Sequence, residues 1–312
     1  MKIFVSSTIY DLIDVRAELE SLLRGMGISP VLSDSATSDF SPCPEKNSIE
    51  TCLVNLRASD CLVVILSRRY GPSLQKAGFD NVSATHLEYR EARSHGMPIR
   101  FYVRDRLESD YRIWRRNQGS VELTWVEDPK DYRLFDLMQE HEHLVAKKPG
   151  TNWYMPFRHS VELKSLLRRD MALPAAKASL ERAIRENHMP IFDCQLNVKA
   201  NTPTPGMSYA SHAFRNVGTV PAYNVSLDWS DKKESEPTPV IAPGSELVQN
   251  SFIEYPGFSR AMTLAYYTPD GHKVSDVFQT GINVEGHAIR SGIRLVKRVY
   301  KAGTEAPFRI EE

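Results

Sequence analysis

The chain has 312 residues, 41% of them hydrophobic and 25% charged, which suffices for two separately cored domains and excludes a disordered chain or a coiled coil. Its 39 basic and 39 acidic residues balance, so no net field recruits nucleic acid or an anionic membrane, and only local clusters can do so. Cys43, Cys52, Cys61 and Cys194 lack paired metal spacing, no apolar run approaches the roughly 20 residues of a membrane helix, and no signal-peptide pattern opens the chain, so a cytoplasmic protein with reduced thiols, no metal, no cofactor and no membrane contact is expected.

Lys2 to Ser6 reads as a short apolar strand that runs into a hydroxyl cluster, Ser6, Ser7 and Thr8. Leu12, Val15, Leu19, Leu22, Leu23 and Met26 then recur at helical spacing until Gly27, a C-terminal stop. Ser29 to Ser33 offers a second strand, Asp34 to Pro44 a polar, proline-marked loop that can lie over the sheet edge, and Ser48 to Arg57 a helix. That helix delivers the chain into Ser59-Asp60-Cys61-Leu62-Val63-Val64-Ile65-Leu66-Ser67. Its six consecutive apolar residues, β-branched in the middle, predict a parallel strand buried on both faces at the centre of a sheet.

A helical pattern opens at Thr85-His86-Leu87-Glu88 and ends at Gly96, and a strand follows from Ile99 to Val103. Next come a charged insertion with Arg104, Arg106, Arg112, Arg115 and Arg116, a fifth strand from Val121 to Val126, and helices over Asp131 to Ala146 and His159 to Arg169. Alternating strands and helices with short connections predict a three-layer α/β domain with a parallel sheet over residues 1–170. Residues 171–189 are read as a connecting helix, stopped by His188-Met189-Pro190. From Pro190 the hydrophobic period becomes two: Phe192 to Lys199, Met207 to Arg215, Ala222 to Trp229, Glu246 to Phe252, Met262 to Tyr267 and Val274 to Thr280 predict an all-β antiparallel sandwich over residues 190–312. The tail from Ile289 to Tyr300 is either a last strand or an amphipathic helix. Asp193, His212, Asp228, Asp276 and His287 are read as dispersed, outward-facing polar positions, so the sandwich is assigned to assembly or recognition, as a homo-oligomer contact or a partner-protein surface.

Ligands of open parallel sheets bind outside the carboxyl ends of the strands, which directs attention to the segments after each strand. Ser6, Ser7 and Thr8 lie where a strand feeds a helix, either anchoring a phosphate or, through Thr8 and Asp11, capping that helix. Asp60 either orients a ribose hydroxyl or begins its strand through local hydrogen bonds. Arg68 and Arg69, followed by Tyr70, either bind phosphate or are solvated loop charges. His86 is either a donor to a leaving base or a solvated first-turn histidine, and His141 and His143, two residues apart on a helix, read as surface positions. Thr85 to Glu88 is either a capping box or the source of a reactive carboxylate, since Glu88 at a strand-end cleft can stabilise an oxocarbenium-like centre. No glycine-rich P-loop or Rossmann fingerprint is present.

Ile3-Phe4-Val5-Ser6-Ser7-Thr8, Asp11-Leu12 and Arg16, Ser59-Asp60 before an apolar strand, Arg69-Tyr70-Gly71, and Glu88-Tyr89 with Ala92 before Gly96-Met97-Pro98 occur in this order. Over residues 1–170 the chain thereby resembles a bacterial domain family of unknown function grouped with TIR domains and nucleoside deoxyribosyltransferases and linked to phage defence. The resemblance implies a TIR-like or deoxyribosyltransferase-like fold and cleavage of the base–ribose bond of NAD or a deoxynucleoside, with Glu88 at the position of the participating glutamate. The alternative is a non-catalytic nucleotide-sensing or protein-interaction module. The second half has a general likeness to immunoglobulin-like sandwiches.

Overall fold

Every residue of the run Cys61–Leu66 is buried, and its strand lies at the centre of a five-stranded sheet. The structure is a computed structural model that describes residues 1–118, 120–126, 128–145, 153–199, 207–229, 232–233, 236–254, 258–285 and 288–303. The chain forms two units, Met1–Ala175 and Ala176–Glu312.

The first unit contains β1 (Lys2–Ser6), α1 (Ile13–Gly25), β2 (Ser29–Val31), α2 (Ser48–Arg57), β3 (Cys61–Leu66), α3 (Ala84–Ser94), β4 (Ile99–Arg104), α4 (Asp105–Arg116), α5 (Arg133–Val145), β5 (Met155–Phe157) and the start of α6 (Ser160–Arg185). The sheet order is β2-β1-β3-β4-β5, with every neighbouring pair parallel. Side chains alternate across each strand, and both faces are covered by helices, which is why β3 needs apolar residues throughout. Phe4, Leu62, Val64 and Phe101 pack with Leu56, Tyr89 and Phe135 on one face. Ile3, Val5, Val63 and Tyr102 pack with Leu19, Leu23 and Leu167 on the other.

Three expectations for this unit are corrected. Val121 to Val126 is not a strand: Leu123 and Trp125 pack against the core from a turn, and the fifth strand is Met155–Phe157, paired through Tyr102 with Met155 and Arg104 with Phe157. The first helix begins at Ile13 with Leu12 at its cap position, so Thr8 does not cap it. The helical stretches on either side of residue 170 form one 26-residue helix with Pro174 inside it, because Leu163, Leu167 and Met171 continue a single buried face.

The second unit is antiparallel throughout. Its strands are β6 (Phe192–Lys199), β7 (Met207–Asn216), β8 (Ala222–Trp229), β9 (Lys232–Lys233), β10 (Thr238–Ile241), β11 (Glu246–Glu254), β12 (Phe258–Tyr267), β13 (Lys273–Glu285) and β14 (Ala288–Lys301). One sheet runs β10-β8-β12-β13-β14 with β9 beside β8, the other β11-β7-β6, and Phe214 of the smaller sheet packs on Phe278 of the larger in a shared core. The tail is therefore a strand. His212 and Asp276, read as outward-facing, are instead fully buried. Asp276 accepts from Tyr266 Oη at 3.1 Å and from Arg298 Nη2 at 2.8 Å, while His212 stands edge-on to Trp229. His287 lies outside the described residues. Among the described residues no helix is long and apolar enough to cross a membrane, and no group of ligating side chains could hold a metal ion.

Candidate functional site

In the order β2-β1-β3-β4-β5 the connections leaving β1 and β3 turn to opposite sides of the sheet. This leaves a crevice at their carboxyl ends, where ligands of such sheets bind. β1 ends there at Ser6, and Ser6 Oγ donates a hydrogen bond to Glu88 Oε2. Glu88 is on α3, whose inward face is Thr85, Glu88, Tyr89 and Ala92, spaced three and four residues apart. The carboxyl group is thus carried to the strand end by the buried face of the helix. Burial pushes it up to about 7, with the Ser6 hydrogen bond and the positive charge of Arg16 opposing.

The capping-box reading of Thr85 and Glu88 is corrected. α3 starts at Ala84, and Ser83 is its N-cap, accepting from the His86 backbone N–H at 3.3 Å. Thr85 lies inside the first turn, and Glu88 is two residues beyond the position, held by His86, from which a side chain reaches back to the cap. Its carboxyl group is free for the cleft.

Beside Glu88 is a cleft of about 470 Å³ whose polar lining includes Ser7, Ser33, Thr85 and Glu88. Its apolar wall comes from the loop after β2 and from α2, with Phe40, Pro42 and Ile49, so a planar base would find apolar contact and a sugar would find hydroxyls. Below it lies Arg16, a buried cation contributed by α1. Arg16 Nε donates to both carboxylate oxygens of Asp34 at 3.0 and 2.9 Å, and Nη1 donates to Val5 O at 3.3 Å and Ser7 Oγ at 3.0 Å. Burial would raise the Asp34 carboxyl, and the Arg16 hydrogen bond and charge outweigh it, holding Asp34 below the usual range. Cys52 also faces the cleft, but burial and the nearby Glu88 push its thiol up to about 12, so it is no thiolate nucleophile.

Ser6, Ser7 and Glu88 are therefore brought together, and the other candidates are not. Thr8 Oγ1 donates to Asp11 in the loop before α1. Asp60 is at the opposite, amino-terminal edge of the sheet, accepting from Lys2 N at 2.7 Å, where it starts its strand and meets no strand-end cleft. Arg68 donates to Asp110 Oδ2 at 2.8 Å, and the Arg69 guanidinium lies 4.4 Å from the Tyr10 ring centroid, both on a neighbouring cleft. Gly71, at φ 87°, turns the chain after them in a conformation that suits glycine.

Tyr70 and His86 are buried in a network of their own rather than solvated or turned to the cleft. Tyr70 Oη is 2.8 Å from His86 Nδ1, and His86 Nε2 is 3.1 Å from Glu140 Oε1. Arg90 donates to the same carboxylate, including Nε to Oε2 at 3.2 Å. Burial would raise Glu140, but hydrogen bonds from His86 and Arg90 outweigh it and hold the carboxyl down at about 2. His141 is likewise not a surface residue: its ring stacks on Phe101 with centroids 4.1 Å apart. Sequence pattern does not single out Arg16, Asp34, Arg90 and Glu140 as site residues, although Arg16 sits four residues after the buried Leu12 and three before the buried Leu19.

The comparisons with known proteins bear on the family. Residues 2–172 match the family described as Domain of unknown function (DUF4062), and the chain belongs to that family. No curated protein matches it. Among solved structures, beta-glucosidase 3B from Thermotoga neapolitana in complex with glucose is 11% identical with a TM-score of 0.16, over 97% of this chain and 51% of that one. Beta-glucosidase from Kluyveromyces marxianus in complex with glucose is 13% identical with a TM-score of 0.14, over 81% and 34%. The chain spans about half the length of the first and about a third of the second, and similarity at this level carries no argument about fold or function.

Proposed function

We propose that the first unit is a nucleotide N-glycosidase that cleaves the base–ribose bond of NAD or a related nucleotide. The observation that carries this reading is the buried Glu88 carboxyl at the carboxyl end of β1, held by Ser6 and open to a cleft with an apolar wall. Breaking an N-glycosidic bond sends the electron pair to the base and leaves an oxocarbenium-like sugar, which a carboxylate on the sugar face stabilises or traps. Water then adds to the sugar carbon and releases a proton. The resemblance to TIR and deoxyribosyltransferase domains supports the same chemistry, and antiphage defence is the setting it suggests.

The engaged state of His86 bears on the substrate. With its two ring nitrogens facing Tyr70 and Glu140, His86 does not offer a proton to a leaving base in the Glu88 cleft. A base that departs as a neutral molecule needs no such acid, and the pyridinium of NAD is one. This favours NAD over deoxynucleosides. Incubating the pure full chain with NAD, NADP and deoxynucleosides, and measuring free base, tests the reading. Release of nicotinamide is expected, whereas bound but uncleaved nucleotide would support a sensing module instead.

A further inference from the structure

The carboxyl edge of the sheet carries a second feature that the Glu88 cleft does not use. The residues that follow β3, β4 and β5 enclose a cleft of about 450 Å³, within the range of roughly 300–1,000 Å³ typical of small-molecule sites. Arg68, Arg104, Arg106, Arg158 and His159 line it, with Ser67 and a single carboxylate, Asp105. These cations come from the ends of three separate strands, with Arg104 closing β4 and Arg106 in the first turn of α4, and the parallel register of β3, β4 and β5 brings them together.

The charges are only partly compensated. Arg158 Nε pairs with Asp105 Oδ2 at 3.0 Å and Arg68 Nη2 with Asp110 Oδ2 at 2.8 Å, so both carboxylates are occupied. Arg104 donates to the backbone carbonyl of Arg158 at 2.6 Å and packs over the Phe157 ring, and neither it nor Arg106 makes an ion pair among the described residues. Asp105, which also accepts from the Arg106 backbone N–H at 2.8 Å, is the one lining carboxylate set against the guanidinium groups of Arg104, Arg106 and Arg158 in this concave, polar space. The fork geometry of the guanidinium groups matches phosphate oxygens. A hydroxyl from Ser67 completes the donor set.

We propose that this cleft binds the diphosphate group of a small-molecule ligand. A flat anionic surface such as a lipid bilayer or a nucleic acid strand fits less well, because the cations sit in a concavity rather than along an exposed stripe, and the chain as a whole carries no net charge. Taken by the strands they follow, the clefts succeed one another along the edge: Ser7 after β1, then Tyr10 and Arg69, then Arg68 and Arg104. In the reading proposed above the ligand is the nucleotide, and the diphosphate site supplies its anchor. For that link the inference rests on the glycosidase reading, whereas the anion site stands on its own residues.

Titration calorimetry of the full chain with inorganic pyrophosphate at constant ionic strength, with sulfate as reference, tests the proposal. Pyrophosphate should bind at least about tenfold more tightly than sulfate, and the Arg104→Gln/Arg106→Gln double variant should weaken it by about tenfold or more. Arg106 is exposed and makes no packing contact comparable to that of Arg104 on Phe157, so Arg106→Gln alone keeps the test readable should the double variant unfold. Arg116→Gln removes the same charge from the far end of α4 and should leave binding unchanged. Absence of pyrophosphate binding, equal binding of sulfate, or equal weakening by Arg116→Gln would overturn the proposal. Glu88→Gln should bind pyrophosphate as the unaltered chain does. A chain that binds pyrophosphate but releases no base would therefore contradict the glycosidase and leave the anion site standing, and base release without pyrophosphate binding would do the reverse.

Discussion

Glu88 holds its proton more tightly in the folded chain than in the unfolded one, with a carboxyl raised from 4.5 to about 7 by burial. Below pH 4.5 both states are protonated, and the favourable contribution of the neutral group is complete. Between 4.5 and about 7 the unfolded chain has released the proton while the folded chain keeps it, so stability falls as pH rises and is lost through the folded value. The difference amounts to about 3 kcal/mol at most. Glu88→Gln mimics the protonated form and keeps an acceptor for Ser6. The variant should match the wild type at pH 4.5 and exceed it in denaturant stability at pH 8, and a variant less stable at pH 8 would contradict this account. Catalysis by the ionised carboxylate requires the opposite trend, so base release should increase with pH towards a plateau with a midpoint near 7. The residue most useful for chemistry is thus expected to oppose folding at the pH where it works.

At the scale of elements, the first turn of α3 shows how far sequence pattern reaches. Ser83 and Thr85 both carry hydroxyls, and Thr85 with Glu88 three residues later fits the capping-box spacing, so local pattern cannot decide which frame the helix adopts. Burial decides it, because starting at Ala84 puts Glu88 against Ser6 and Tyr89 and Ala92 in the core. Ser83→Ala should accordingly cost about 1 kcal/mol in denaturant unfolding, and Thr85→Ala clearly less. Equal costs would restore the other frame. The same tertiary control explains the fifth strand, since Val121 to Val126 has strand composition while the three residues Met155–Phe157 are too few to show a period. By contrast Cys61–Leu66 was legible because burial on both faces leaves only one kind of residue to choose.

The link between α3 and α5 is another tertiary feature that pattern does not reveal, since His86 and Glu140 are 54 positions apart. Glu140 is the reverse of Glu88, with a carboxyl lowered from 4.5 to about 2. Its contribution is present above pH 4.5 and is lost as pH falls through about 2. Glu140→Gln should flatten the stability profile across that acid range while leaving the trend between 4.5 and 7 intact. An unchanged acid limb, measured by denaturant unfolding, would show that the His86–Glu140–Arg90 contact is not formed in solution.

For the whole molecule, sheet order does what no single motif does. Placing β1 between β2 and β3 brings Ser6, from the first residues of the chain, to a glutamate 82 positions later and leaves the crevice open above them. The second unit has its own core, in which His212 and Asp276 are buried. The account therefore stands on one carboxylate in the first unit. Its most direct test is the rate of free base release from NAD by the full chain and by Glu88→Gln, measured at pH 8 with the fold of both checked by thermal unfolding. The wild type should release nicotinamide, and the variant, folded and at least as stable, should be slower by roughly a hundredfold or more. Equal rates from the two chains, or no release from the wild type, would contradict it.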